Sequence, residues 1–131
     1  VIDTTIYISA IFWGGKPRQV IDLGRDREIQ IFITQDIISE ISEKLKVKFK
    51  LPEEEVQQII FDLSTFTFPV VAKKKFKVIS NDPDDDKFID CAVQCRADFI
   101  VSGDRHLLEL QEYYGTKILK AADFLHIFDK T

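Results

Sequence analysis

Methionine is absent from the 131 residues, cysteine and histidine occur twice each, proline four times, glycine five times and tryptophan once. So few cysteines exclude a small domain built on disulfides, and so little Pro and Gly excludes a collagen-like or linker-like chain. No apolar run reaches the roughly eighteen residues that a membrane-spanning helix needs. Val1-Ile2-Asp3 reads as a strand and lacks the basic-then-apolar character of a secretion signal, so the expected location is the cytoplasm. The absence of Met at position 1 is compatible with a strand that begins upstream of Val1. Neither sign of charge dominates: 18 basic residues face 22 acidic ones, a formal net charge of −4. That total is not the signature of a protein that coats DNA, although local patches decide nucleic-acid binding.

What is present is the composition of one globular domain spanning residues 1–131. Forty-five percent of residues are hydrophobic and 31% are charged, with eleven Phe to fill a core. Short apolar runs alternate with amphipathic stretches, the pattern of α/β proteins. Strands are predicted over Val1 to Ile6, Glu28 to Thr34, Phe68 to Val71, Phe99 to Ser102 and Lys117 to Leu119, with Lys77 to Ile79 a further extended piece. Helices are predicted over Tyr7 to Phe12, Pro17 to Arg25, Gln35 to Phe49, from Pro52, from Asp82-Pro83 to Arg96, over Arg105 to Gln111 and over Ala121 to Phe128. Strands separated by helices imply parallel crossovers and a sheet covered on both faces. Cys91 and Cys95 lie four apart on a helical pattern and read as reduced core thiols.

In open parallel sheets, ligands bind beyond the carboxyl ends of the strands. Asp3 stands near such an end, and an acid inside a short apolar run is costly unless paired or metal-bound. Asp104 follows another strand in Ser102-Gly103-Asp104, where it either caps the next helix or faces a ligand. In Asp82-Pro83-Asp84-Asp85-Asp86 most acids suit a helix N-terminus. Asp86 and Asp90 stack one turn apart on one face, either as a solvated pair or around a cation. Glu40 lies at the edge of its helix's apolar stripe, a solvated position unless topology brings it to the rim. Carboxylates converging from several elements require cations to stay ionised, and oxygen donors without His or Cys select Mg²⁺ or Mn²⁺. The chemistry typical of such a cluster is metal-assisted phosphodiester hydrolysis. Gly14-Gly15-Lys16 lacks the spacing of a nucleotide loop. Thr4-Thr5 after Asp3 disfavours a phospho-acceptor receiver and a haloacid-dehalogenase-type phosphatase, which need further acids there.

These residues resemble PIN-domain proteins, specifically the group regarded as toxins of prokaryotic toxin–antitoxin pairs. The likeness runs from Val1 to about Asp129. It rests on Val1-Ile2-Asp3-Thr4-Thr5, Ser39-Glu40-Ile41, Asp82 to Ile89, and Ala97 to Asp104 followed by Leu107-Leu108. The resemblance implies a three-layer αβα sandwich with a central, mostly parallel sheet of about five strands. It implies that Asp3, Glu40, Asp86 and Asp104 are catalytic metal-site acids, with Asp90 a further ligand and Ser102 a hydroxyl beside the site. Thr5 stands where the family usually has Asn, a change expected to tune the site by holding Asp3. The implied activity is a Mg²⁺- or Mn²⁺-dependent ribonuclease, often a homodimer, with an antitoxin partner. The alternative is a catalytically weak PIN-fold module that binds RNA or protein.

An acidic protein holds RNA through local positive potential. Lys44, Lys46, Lys48 and Lys50 form one basic cluster, and Lys73, Lys74, Lys75 and Lys77 another; both also suit solubility and helix C-termini. Arg105, beside Asp104, is the expected substrate contact, and His106 reads as a surface residue. Trp13 before Gly14-Gly15 either stacks a base or packs into a core or dimer.

Overall fold

The computed structural model describes residues 1–73 and 85–128. The extended piece expected at Lys77–Ile79, the helix start expected at Asp82-Pro83, Asp84, and Lys74, Lys75 and Lys77 lie outside the described residues.

The N-terminal segment is extended for three residues only. Ile2 bridges Val101 in parallel, with Asp3 N–H donating to the Val101 carbonyl and Val101 N–H to the Val1 carbonyl, each at 2.9 Å. Helix α1 (Thr4–Phe12) begins at once, because Asp3 is extended and its carboxylate accepts the Thr5 N–H, which caps the helix. The strand expected over Val1–Ile6 is therefore cut short: the β-branched Thr4, Thr5 and Ile6 favour a strand locally, and the Asp cap overrides that preference.

Helix α2 (Gly15–Arg25) follows a turn in which Gly14 and Gly15 both have positive φ. It lies so close on β1 (Ile31–Ile33) that a Cβ at Gly24 would stand 2.2 Å from Ile31 Cδ1. Thr34 caps α3 (Gln35–Val47), accepting the Ile37 N–H at 3.3 Å. Pro52 precedes α4 (Glu53–Ser64), whose first turn carries Glu53, Glu54 and Glu55, where the helix dipole favours acids. Then come β2 (Thr67–Pro69), α5 (Asp86–Cys95), β3 (Phe99–Val101), α6 (Arg105–Leu110), β4 (Glu112–Tyr113), β5 (Thr116–Leu119) and α7 (Ala121–Phe128). Arg96 ends α5 in the left-handed region. Cys91 and Cys95 are free thiols on α5.

The class is α/β, as expected, but the described residues do not form one central sheet of about five strands. β1 pairs with β2 in parallel, and a separate sheet has the order β3-β5-β4, parallel between β3 and β5 and antiparallel between β5 and β4. The cause lies at the N-terminus. Val1–Asp3 forms its bridge to β3 alone, while Val1, Ile2, Ile31 and Phe32 line a cavity of about 410 Å³ instead of sharing a ladder. β4 was not expected. Its hairpin turns on Tyr114 and Gly115, both at positive φ, a turn of the kind that matches strand twist.

The core joins both sheets through side chains. Ile37, Ile41, Leu45, Phe88, Ile100 and Leu107 are all buried, and each contributes about 1.5–3 kcal/mol by leaving water. Among the described residues no helix is long and apolar enough to cross a membrane.

Candidate active site

The carboxyl end of β3 carries a well-ordered polar group. Asp3 is 1% exposed and Ser102 is fully buried. The Ser102 hydroxyl donates to Asp3 Oδ2 at 2.6 Å, and its oxygen accepts the Asp104 N–H at 2.9 Å. The Thr5 hydroxyl donates to the same Asp3 oxygen at 3.0 Å, while Thr5 N–H reaches Oδ1 at 3.3 Å. The Ser102 backbone is itself held by β5, its N–H donating to the Leu119 carbonyl. Asp104 caps α6, accepting the N–H groups of His106 at 2.8 Å and Leu107 at 3.4 Å. Asp3, Thr5, Ser102 and Asp104 are thus brought together, and both acids serve as helix caps as well.

Burial pushes the Asp3 carboxyl above its ordinary range, and the nearby Asp104 charge adds to that. The hydrogen bonds from Ser102 and Thr5 oppose the rise without cancelling it. Desolvation wins because the carboxylate has left water while receiving only neutral donors.

A second group of acids sits on α3 and α5. Asp86 and Asp90 are buried, at 9% and 5% exposure, which removes the reading of this pair as a solvated face. Glu40 forms an ion pair with Lys87, whose side chain is 19% exposed against 18% for Glu40. Topology therefore does lift Glu40 out of open solvent, and it does so through Lys87, which sequence reasoning missed. The available signal was its place next to Asp86 in an otherwise acidic helix start. Among the described residues no three Asp, Glu, His or Cys side chains converge closely enough to hold a metal ion.

Arg105 pairs with Glu109 at 3.5 Å on an exposed face. His106 is half-buried instead of a plain surface residue, and its Nδ1 has no hydrogen-bond partner among the described residues.

The donor chemistry suits a hard divalent cation. Asp3, Asp104, Asp86, Asp90 and Glu40 offer oxygen only, three of them are buried, and the ionised form of Asp3 is disfavoured as it stands. The spatial arrangement is less complete, because Lys87 already neutralises Glu40.

The family model of the PIN domain matches residues 1–106, and the chain belongs to the PIN-domain family. That is a nuclease-type family whose members generally depend on divalent metal. A search of curated protein sequences finds no match.

Proposed function

We propose that this chain is a Mg²⁺- or Mn²⁺-dependent endoribonuclease that hydrolyses phosphodiester bonds of single-stranded or structured RNA. On this reading it acts in the cytoplasm as the toxin of a toxin–antitoxin pair, as a homodimer or higher homo-oligomer held in check by its antitoxin. The observation that carries the reading is the buried Asp3 carboxylate beside Asp104 at the carboxyl end of β3, with its ionised form disfavoured. A cation at that rim would reverse the cost.

The metal would be held by Asp3, Asp104, Asp86, Asp90 and Glu40, and when bound it supplies an activated water and offsets charge on the phosphoryl group. Ser102 fixes the rotamer of Asp3 and the backbone of Asp104 together, which sets the spacing of the two acids. Thr5 holds the same Asp3 oxygen. The Arg105–Glu109 pair is exposed and worth little, so the guanidinium is available to an RNA phosphate. Glu40 joins the set only by exchanging Lys87 for the cation.

The test is Mn²⁺ titration by calorimetry on the wild type and Asp86→Asn, followed by mapping of 5′-phosphate ends in treated RNA. Binding and cleavage that both vanish in Asp86→Asn support the nuclease. Equal Mn²⁺ binding in the two proteins overturns the site. RNA retained without any cleavage establishes the binding module instead.

A further inference from the structure

The C-terminal ends of α1 and α3 meet in a group of aromatic rings that the acid site does not use. Phe12 and Phe49 stack with centroids 4.3 Å apart and planes 18° from parallel. Trp13 lies against both, 5.7 Å from Phe12 and edge-on to Phe49 at 6.1 Å. The indole is not core: Trp13 is 70% exposed, a large apolar surface supported by rings from behind.

Exposed cations lie on the two segments that meet there. Lys48 Nζ stands 5.7 Å from the Phe49 ring, and Lys50 follows directly. Across the Gly14-Gly15 turn, Lys16 and Arg18 open α2, with Arg18 Cδ 3.8 Å from where a Cβ of Gly14 would stand. All four are exposed, and none makes an ion pair among the described residues; Lys46, which pairs with Glu53, lies outside this set. An exposed ring flanked along the chain by cations without ion pairs suits a flat ligand that carries negative charge. A second copy of the chain suits it poorly, because a twofold contact would press the same four cations against themselves. A base with its phosphates satisfies both halves of the patch.

We propose that Trp13, backed by Phe12 and Phe49 and flanked by Lys16, Arg18, Lys48 and Lys50, is a stacking platform for an unpaired base of single-stranded nucleic acid. Asp3 caps the other end of α1, about 15 Å away along the helix axis. The strand passing from the platform to the acids spans a few nucleotides. This deepens the nuclease reading and rests on it only for the strand being the substrate.

Trp13 is the only tryptophan, so its emission reports the site directly. The full chain in EDTA is titrated with a short oligouridylate and with the matching deoxy strand, at low and high salt. Saturable quenching by both strands, weakening as salt rises, is expected. Replacing Lys48 and Lys50 together with Ala weakens the quench-monitored affinity about tenfold. Trp13→Ala, followed by anisotropy of a labelled strand, weakens it about tenfold as well, and Trp13→Phe recovers part of the loss. An absence of quenching, or equal affinity in Trp13→Ala, overturns the platform. So does a protein whose mass in sedimentation halves on Trp13→Ala without nucleic acid, which would make the patch a self-association surface. If RNA cleavage proves absent while Trp13 still quenches, the nuclease reading fails and the platform stands.

Discussion

Two groups of acids are held in opposite ways. Around Asp3 and Asp104 the backbone does the placing: each acid caps a helix, and one buried hydroxyl, Ser102, ties them together. On α3 and α5 the placing is by helix face, and Glu40 is held by charge through its ion pair with Lys87. The first group is rigid and electrostatically unsettled, since its donors are neutral and Asp3 is pushed up by burial. The second includes a carboxylate already neutralised by an ammonium. A cation would therefore relieve strain at the first group and compete with Lys87 at the second.

Asp3→Asn gives the largest expected effect and separates chemistry from stability. RNA cleavage falls by about 100-fold or more, because a metal-site carboxylate is lost while the fold is kept. Stability of the metal-free protein moves the other way. A carboxyl raised in the folded state contributes stability below its unfolded value of 3.8 and loses it as pH rises through the raised value. Burying the carboxyl is therefore a cost at neutral pH, and Asn removes it. Thermal unfolding in EDTA at pH 7 is expected to show the variant a few degrees higher, with the gap closing toward pH 4. A lower Tm for the variant at pH 7 would show that the hydrogen bonds from Ser102 and Thr5 outweigh burial.

Ser102→Ala breaks the coupling within the first group. It leaves the Asp104 N–H and the buried Asp3 oxygen short of a partner, at a cost of about 1.5–3 kcal/mol. Urea unfolding with unchanged slope measures it. Lys87→Ala probes the second group. Removing the competitor for Glu40 is expected to tighten Mn²⁺ binding about fivefold, the worth of a modest ion pair. Unchanged or weaker binding would exclude Glu40 from the metal set.

The same contrast decides how much was legible in the sequence. Asp3 and Asp104 were found as candidates because each sits at the end of a short apolar run, and Ser102-Gly103-Asp104 marks a tight strand-to-helix turn. Helices α2, α4 and α7 stand close to where apolar spacing put them. The start of α1 was misplaced by three residues, since Thr4-Thr5-Ile6 has strand-like side chains and only the capping geometry of Asp3 reveals the helix. β4 escaped because two residues carry no periodicity. Lys87 escaped for a different reason: its place beside Asp86 hints at a role, but its partner is 47 positions away. Pairings between helix faces are set by tertiary packing, so a single sequence carries them least.

Thr5 offers the finest test of the first group. Its hydroxyl and its N–H both reach Asp3, so one residue supplies two of the donors holding that carboxylate. Substitution by Asn, the residue usual in the family, keeps the N–H and replaces the hydroxyl with an amide donor. Cleavage and stability are then expected to stay within about threefold and about 0.5 kcal/mol of the wild type. Thr5→Ala also keeps the N–H but removes the hydroxyl bond outright, at about 1 kcal/mol. Ser102 still grips the same Asp3 oxygen at the shorter distance of 2.6 Å, so the carboxylate keeps its rotamer and cleavage falls only severalfold. Comparison of the two variants at saturating Mn²⁺ checks this. A loss in Thr5→Asn as large as in Asp3→Asn would mean that the threonine touches the substrate itself. Its role would then extend beyond orienting the acid, and the rigid half of the rim would bind RNA as well as metal.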